Sequence, residues 1–209
     1  GDVMATDVTT PVGDISLQAG GNGRLLVLDG GPLSPGVSTE AGSVDMVTDN
    51  GLIEVAGTVK AAGTDSDVMF RSASSSLMLT STAKVSAADQ LVVVTPNSQL
   101  SIQPGAAVTA NRLAITAQFG ALTSPPAALG SFNAIEINRT DPGSIVLAST
   151  TPLTVEGVTA VLGNINLTAP SLQVTGNITA ATSAAGDGTV SLTATAGNID
   201  LAASVRALA

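Results

Sequence analysis

The groups available for chemistry in this sequence are carboxylates, hydroxyls and a few amines, because it contains no histidine and no cysteine. Ser-His-Asp and Cys-His nucleophiles are thereby excluded, as are ordinary zinc sites. The stretch Ser81-Thr82-Ala83-Lys84 has the S-x-x-K form in which a lysine activates a serine. That chemistry needs a helix to bring the two side chains together, whereas here they precede strand-like residues beginning at Val85. A solvated corner is the expectation, and no catalytic residue is assigned.

Carboxylate chemistry and hard-cation binding remain. Glycosidic cleavage uses two acids about 5 to 9.5 Å apart, which in a stacked fold would mean acids on neighbouring rungs. Along the outward positions of the first strands described below run Ser16, Asp45, Met69, Val92, Ala114, Glu136, Asn166 and Ser191, and no two acids adjoin. On the second strands Glu54 is followed by Met78 and Ser101, and the chain has no Trp or Tyr on which a sugar ring could lie. For calcium, oxygen ligands are plentiful in TDNG at 48–51 and TDSD at 64–67, corners that would approach each other if successive coils stack there. Turn chemistry, in which Asp and Asn bond their own backbone, explains both stretches without a metal, so no metal or cofactor is expected. GGNGRLLVL at 20–28 approaches the calcium-binding nonapeptide, but Leu25 stands where its Asp belongs.

The elements that would position these groups announce themselves by alternation. Residues 163–181, GNINLTAPSLQVTGNITAA, place apolar residues at every second position in short runs broken by Gly, Pro, Asn or Thr. Aligned on that pattern, inward pairs recur at Ile15/Leu17, Val44/Met46, Val68/Phe70, Leu91/Val93, Leu113/Ile115, Ile135/Ile137, Ile165/Leu167 and Val190/Leu192. A second rung reads Leu26/Leu28, Ile53/Val55, Leu77/Leu79, Leu100/Ile102, Ile145/Leu147, Leu172/Val174 and Ile199/Leu201. A third reads Val59/Ala61, Val85/Ala87, Val108/Ala110, Ile178/Ala180 and Val205/Ala207, with Gly57 and Gly176 expected to supply positive φ at corners. An antiparallel sandwich also accommodates short alternating strands, yet it has no reason to recur as strand, strand, short strand. The expectation is an all-β, single-stranded right-handed parallel β-helix, a solenoid of about eight three-strand coils and on the order of 40 Å long.

Residues 1–209 then form a single domain, read as a segment of a longer chain because the sequence opens GDVM without an initiator Met or a signal segment. Two irregular insertions are expected, at 29–41 (DGGPLSPGVSTEA) and 116–133 (TAQFGALTSPPAALGSFN). With only three aromatic residues, all Phe, the core must be narrow and aliphatic. The net charge of −9 and seven scattered Lys and Arg offer no basic stripe for nucleic acid or an anionic membrane, and no apolar run suits insertion.

The phrases GDISLQAG, GNINLTA, GTVSLTATAGNIDLAAS and VTGNITAA resemble the coil repeats of filamentous-haemagglutinin-type adhesins, large exported bacterial β-helix proteins. The resemblance covers about residues 13 to 209 and is weakest from 116 to 162. It implies export to the cell surface, an elongated stalk and a role in attachment or matrix, with a cell-surface receptor or glycan as partner. The residues themselves add one surface feature. Met69, Val92, Val94 and Met78 fall at outward positions where strands usually carry Thr, Ser or charge, and the 116–133 segment adds Phe119 and Phe132. These six form the candidate interaction surface, to be covered by that segment or by a partner. Open coil ends point to self-association, end to end or lateral. The functional expectation is a non-catalytic structural or adhesive segment of a surface or filament protein; a β-helix carbohydrate-active enzyme and a self-assembling sheath or layer subunit are the alternatives.

Overall fold

Residues that alternate in polarity over three to five positions form strands here, and each strand turns one apolar edge inward. The computed structural model describes residues 1–29, 36–103, 105–119, 130–161, 163–180 and 188–207, and every element among them is a strand. The first turns are β1 (Val3–Ala5), β2 (Asp7–Thr10) and β3 (Ile15–Ala19), then β4 (Leu25–Val27), β5 (Gly36–Thr39) and β6 (Val44–Thr48). They continue as β7 (Ile53–Val55), β8 (Thr58–Ala61) and β9 (Val68–Ser72), followed by β10 (Leu77–Leu79) and β11 (Lys84–Ala87). Three long strands that run through corners come next: β12 (Gln90–Ile102), β13 (Ala107–Phe119) and β14 (Gly130–Pro142). The remainder is β15 (Ile145–Ala148), β16 (Leu153–Val161), β17 (Ile165–Ala169), β18 (Leu172–Val174), β19 (Ile178–Ala180), β20 (Val190–Ala194), β21 (Ile199–Leu201) and β22 (Val205–Ala207).

Each strand pairs in parallel with its counterpart one turn away, so the chain is a parallel β-helix of about seven turns. One face stacks Ile15, Val44, Val68, Leu91, Leu113 and Ile135 in register. Their side chains are between 0% and 7% exposed, and each fully buried Val, Leu or Ile contributes roughly 1.5–3 kcal/mol of transfer free energy. Phe70 and Phe132 are the largest buried side chains, as a thin aliphatic column allows.

Several details depart from the sequence expectation. The inward pair on β4 is Leu25/Val27, both 0% exposed, and not Leu26/Leu28. A continuous LLVL run has no alternation to set the phase, and its neighbours fix it, β1 pairing Val3 and β7 pairing Ile53 with Leu25. Residues 3–10 also belong to the coil, through β1 and β2. Gly57 and Gly176 do not adopt positive φ. They are glycines because stacked backbones leave no space: a Cβ on Gly57 would lie 2.6 Å from the carbonyl carbon of Leu28, and one on Gly176 would collide with the Glu156 carbonyl oxygen. Within 29–41, residues 36–39 are the ladder strand β5. Within 116–133, β13 continues to Phe119 and β14 starts at Gly130, while 120–129 lie outside the described residues.

The largest departure follows β14. Ile135 and Ile137 stack on Val155 and Val158 of β16, not on Ile165 and Leu167, and Ile145/Leu147 of β15 supply the partners of Ile165/Leu167. The two halves of β16 then feed two columns, one through β18 to β21 and one through β19 to β22, while β15, β17 and β20 make a separate three-stranded sheet. One face of the first half therefore opens into two faces of the second. Arg139 sits at this switch, 7% exposed, its guanidinium bonded to the Ser144 carbonyl at 2.5 Å and packed beneath Gly143, whose φ is 144°.

Candidate functional site

Polar side chains just before the first-face strands are used structurally, as a ladder that runs up one corner. The Ser43 amide donates to Asp14 Oδ1 at 2.8 Å, the Asp67 amide to Ser43 Oγ at 3.1 Å and the Gln90 amide to Asp67 Oδ1 at 3.0 Å. Asn111 Nδ2 then donates to Asp89 Oδ1 at 3.5 Å, and Asn133 Nδ2 to Asn111 Oδ1 at 2.9 Å. A separate ladder begins beyond the switch, where the Asn164 amide donates to Ser144 Oγ and the Thr189 amide to Asn164 Oδ1. The signal in the sequence was an Asp, Ser or Asn one or two residues before the inward runs at Ile15, Val44, Val68, Leu91, Leu113, Ile135 and Ile165.

This arrangement reassigns the acidic corners. Asp67 precedes β9, whereas Asp49 follows β6, and these two strands pair from end to end. Five strand residues separate the corners by roughly 16 Å, so TDNG and TDSD do not converge. Asp49 Oδ2 accepts the Gly21 amide at 3.1 Å, and no group of three or more acidic, His or Cys side chains able to hold a metal occurs among the described residues. Ser81 lies in the turn ahead of β11 and Lys84 opens that strand, without the helix the S-x-x-K arrangement requires.

Two carboxylates do come together, contrary to the outward order read from sequence. A β-bulge at Glu156 pairs Ile135 with Val155 but Glu136 with Gly157, bringing Glu136 and Glu156 onto one guanidinium. Arg112 bonds Glu136 through Nη2 and Glu156 Oε2 through Nε at 2.6 Å, and reaches Gln90 Oε1 at 3.2 Å. The hydrogen bond to Glu156 and the charges of both acids raise the Arg112 pKa, and Asp45 does the same for Arg71. A raised arginine pKa contributes stability that is complete below the unfolded-state value and lost only as pH rises through the folded one, far above neutrality. These clusters tie successive turns together: Arg24 with Glu54, Arg71 with Asp45, and Arg112 with acids one and two turns on.

Of the six residues expected at an interaction surface, Met69 and Val92 stack directly, and Val94 lies next to Arg71 on the same outer face. All three are half-buried, and Ala114 extends the column. Met78 belongs to another face, between Glu54 and Ser101, where Gln103 Nε2 approaches its sulfur at 3.8 Å. Phe132 is 1% exposed in the core and is withdrawn from that surface; the Phe119 side chain lies outside the described atoms.

The ladder stops at Asn133 because the register places Leu153 over it, preceded by Pro152. Beside that break lies an open groove of about 590 Å³ crossing four turns, with Asn133, Thr154, Ser171, Gln173, Asn198 and Asp200 on its walls. Sequence reading missed it, since it exists only where the sheet order changes. Comparison with protein-family models, curated proteins and solved structures returned no match to this chain.

Proposed function

We propose that the chain is a non-catalytic structural and adhesive β-helix segment of an exported bacterial surface or filament protein, one that associates with further coils at its ends. The observation that carries the reading is the state of the terminal turns. Ile199 and Leu201 on β21 are 39% and 59% exposed, against 1% and 0% for Leu172 and Val174, which they stack upon. Among the described residues β20, β21 and β22 each pair on one side only, as do β1, β2 and β3 at the other end. Unpaired donors and acceptors above an apolar column are satisfied in register by another coil. The resemblance to adhesin coil repeats supports an extracellular location.

The Glu136/Glu156 pair favours a carbohydrate-active enzyme as a second reading. Both acids are exposed and share a guanidinium, which suits joining turns better than holding a proton for a leaving group. Light scattering and electron microscopy of the 209-residue chain decide the main reading. Rods lengthening with concentration are expected, and a monodisperse monomer at high concentration overturns it. Shortening of a polysaccharide that Glu136→Gln abolishes would establish the enzyme.

A further inference from the structure

We propose that the groove beside the ladder break binds an extended, uncharged polysaccharide lying parallel to the helix axis. The inference rests on the reading of the chain as a non-catalytic adhesive rod and names its ligand chemistry. The walls come from four successive turns: Asn133 on β14, Thr154 on β16, Ser171 and Gln173 at β18, and Asn198 and Asp200 at β21. Thr154, Gln173 and Asp200 stand in one outward column, because Thr154 pairs with Gln173 and Gln173 with Asp200. Adjacent rungs of a parallel sheet are about 4.8 Å apart, comparable to the length of one pyranose unit, so each turn can meet one sugar.

With no Trp or Tyr to stack on a ring, recognition falls to hydrogen bonds along the sugar chain, and the functional groups fit vicinal hydroxyls. Carboxamides donate and accept at once, hydroxyls do the same, and one carboxylate accepts from a pair of neighbouring hydroxyls. Among the described residues no Lys or Arg lines the groove, and the chain carries a net charge of −9, which disfavours an anionic chain. Among the described residues, the side chains of Thr154, Ser171, Gln173, Asn198 and Asp200 make no hydrogen bond or ion pair. Asn133 spends only its Nδ2 group on the ladder, through Asn111. Elsewhere along this corner the equivalent groups are consumed between turns; here the change of sheet order leaves them facing the groove. A peptide strand would add at an open sheet edge; β16 and β18 are paired on both sides, and only β21 at the end of the groove offers one among the described residues, a case that the hexapeptide comparison below addresses.

The test is calorimetry and NMR titration of the 209-residue chain with defined hexasaccharides: neutral β-1,4-glucan, neutral α-mannan and an acidic galacturonan, with an extended hexapeptide as comparison. At least one neutral hexasaccharide is expected to bind, with shifts confined to the groove residues and no shortening of the sugar. Gln173→Ala should weaken it roughly three- to tenfold, the loss of one or two hydrogen bonds, and Thr154→Ala/Gln173→Ala/Asn198→Ala should abolish it without moving the melting temperature. No neutral binding, binding of the galacturonan or peptide alone, or affinity unaltered in the triple variant overturns the groove assignment. Binding accompanied by shortening of the sugar would leave the groove standing and remove the non-catalytic reading, so the two failures are distinguishable.

Discussion

A phenyl ring in a Pro- and Gly-rich stretch reads as a surface feature, yet Phe132 is 1% exposed and stacks over Ala110 in the third-face column. Small residues beneath make room for one large ring. Phe132→Ala should therefore destabilise by about 3–5 kcal/mol, as aromatic truncations in a packed core do, and denaturant unfolding would show it; a surface phenylalanine would move the midpoint hardly at all. Thr48 makes the opposite case. Its side chain is 1% exposed and its Oγ1 is the buried side-chain polar atom without a hydrogen-bond partner among the described residues. Thr48→Val keeps the shape and removes an unpaired hydroxyl, so a gain of about 1 kcal/mol is expected. A fall in melting temperature would mean that the hydroxyl is bonded after all.

At the scale of elements, the decisive feature is the switch after β14. Residues 145–147 alternate like any second-face strand, but they begin the sheet that β17 and β20 complete. Leu167, 0% exposed, is held between Leu147 and Leu192. Leu167→Asp would place an unpaired carboxylate in that aliphatic column at a cost of several kcal/mol, a shift in thermal midpoint on the order of 10 °C for a chain of this size. An unchanged midpoint would sink the register. The switch also explains the carboxylate pair: moving Val155 under Ile135 and bulging Glu156 carries an acid from 44 residues downstream onto Arg112.

Over the whole molecule, the rod is joined turn to turn by backbone ladders, an Asp/Ser/Asn corner ladder and surface guanidinium clusters, none of which requires a cation. Chelator added to the 209-residue chain should accordingly leave its melting temperature unchanged. A drop of several degrees would reveal ligand linkage, and with it a calcium site at the Asp49 or Asp65–Asp67 corners.

Period-two alternation with a recurrence near 22 residues was sufficient for the fold class, because each coil must present the same inward pairs, and Val44, Val68, Leu91 and Leu113 do so. Likewise the outward places of Met69, Val92 and Val94 follow from their inward neighbours alone. Phase was not legible in LLVL, where every residue is apolar and the pairing with β1 and β7 decides which two face in. Nor was the partner of each strand legible after Ile137, since two candidate strands, 145–147 and 153–158, carry equally good alternation. Pairing between turns, set by the bulge at Glu156 and by the buried Arg139 beneath Gly143, made that choice. The groove and the Glu136/Glu156 pair are consequences of it: both join residues of different turns, and only the stacked structure determines which residues become neighbours.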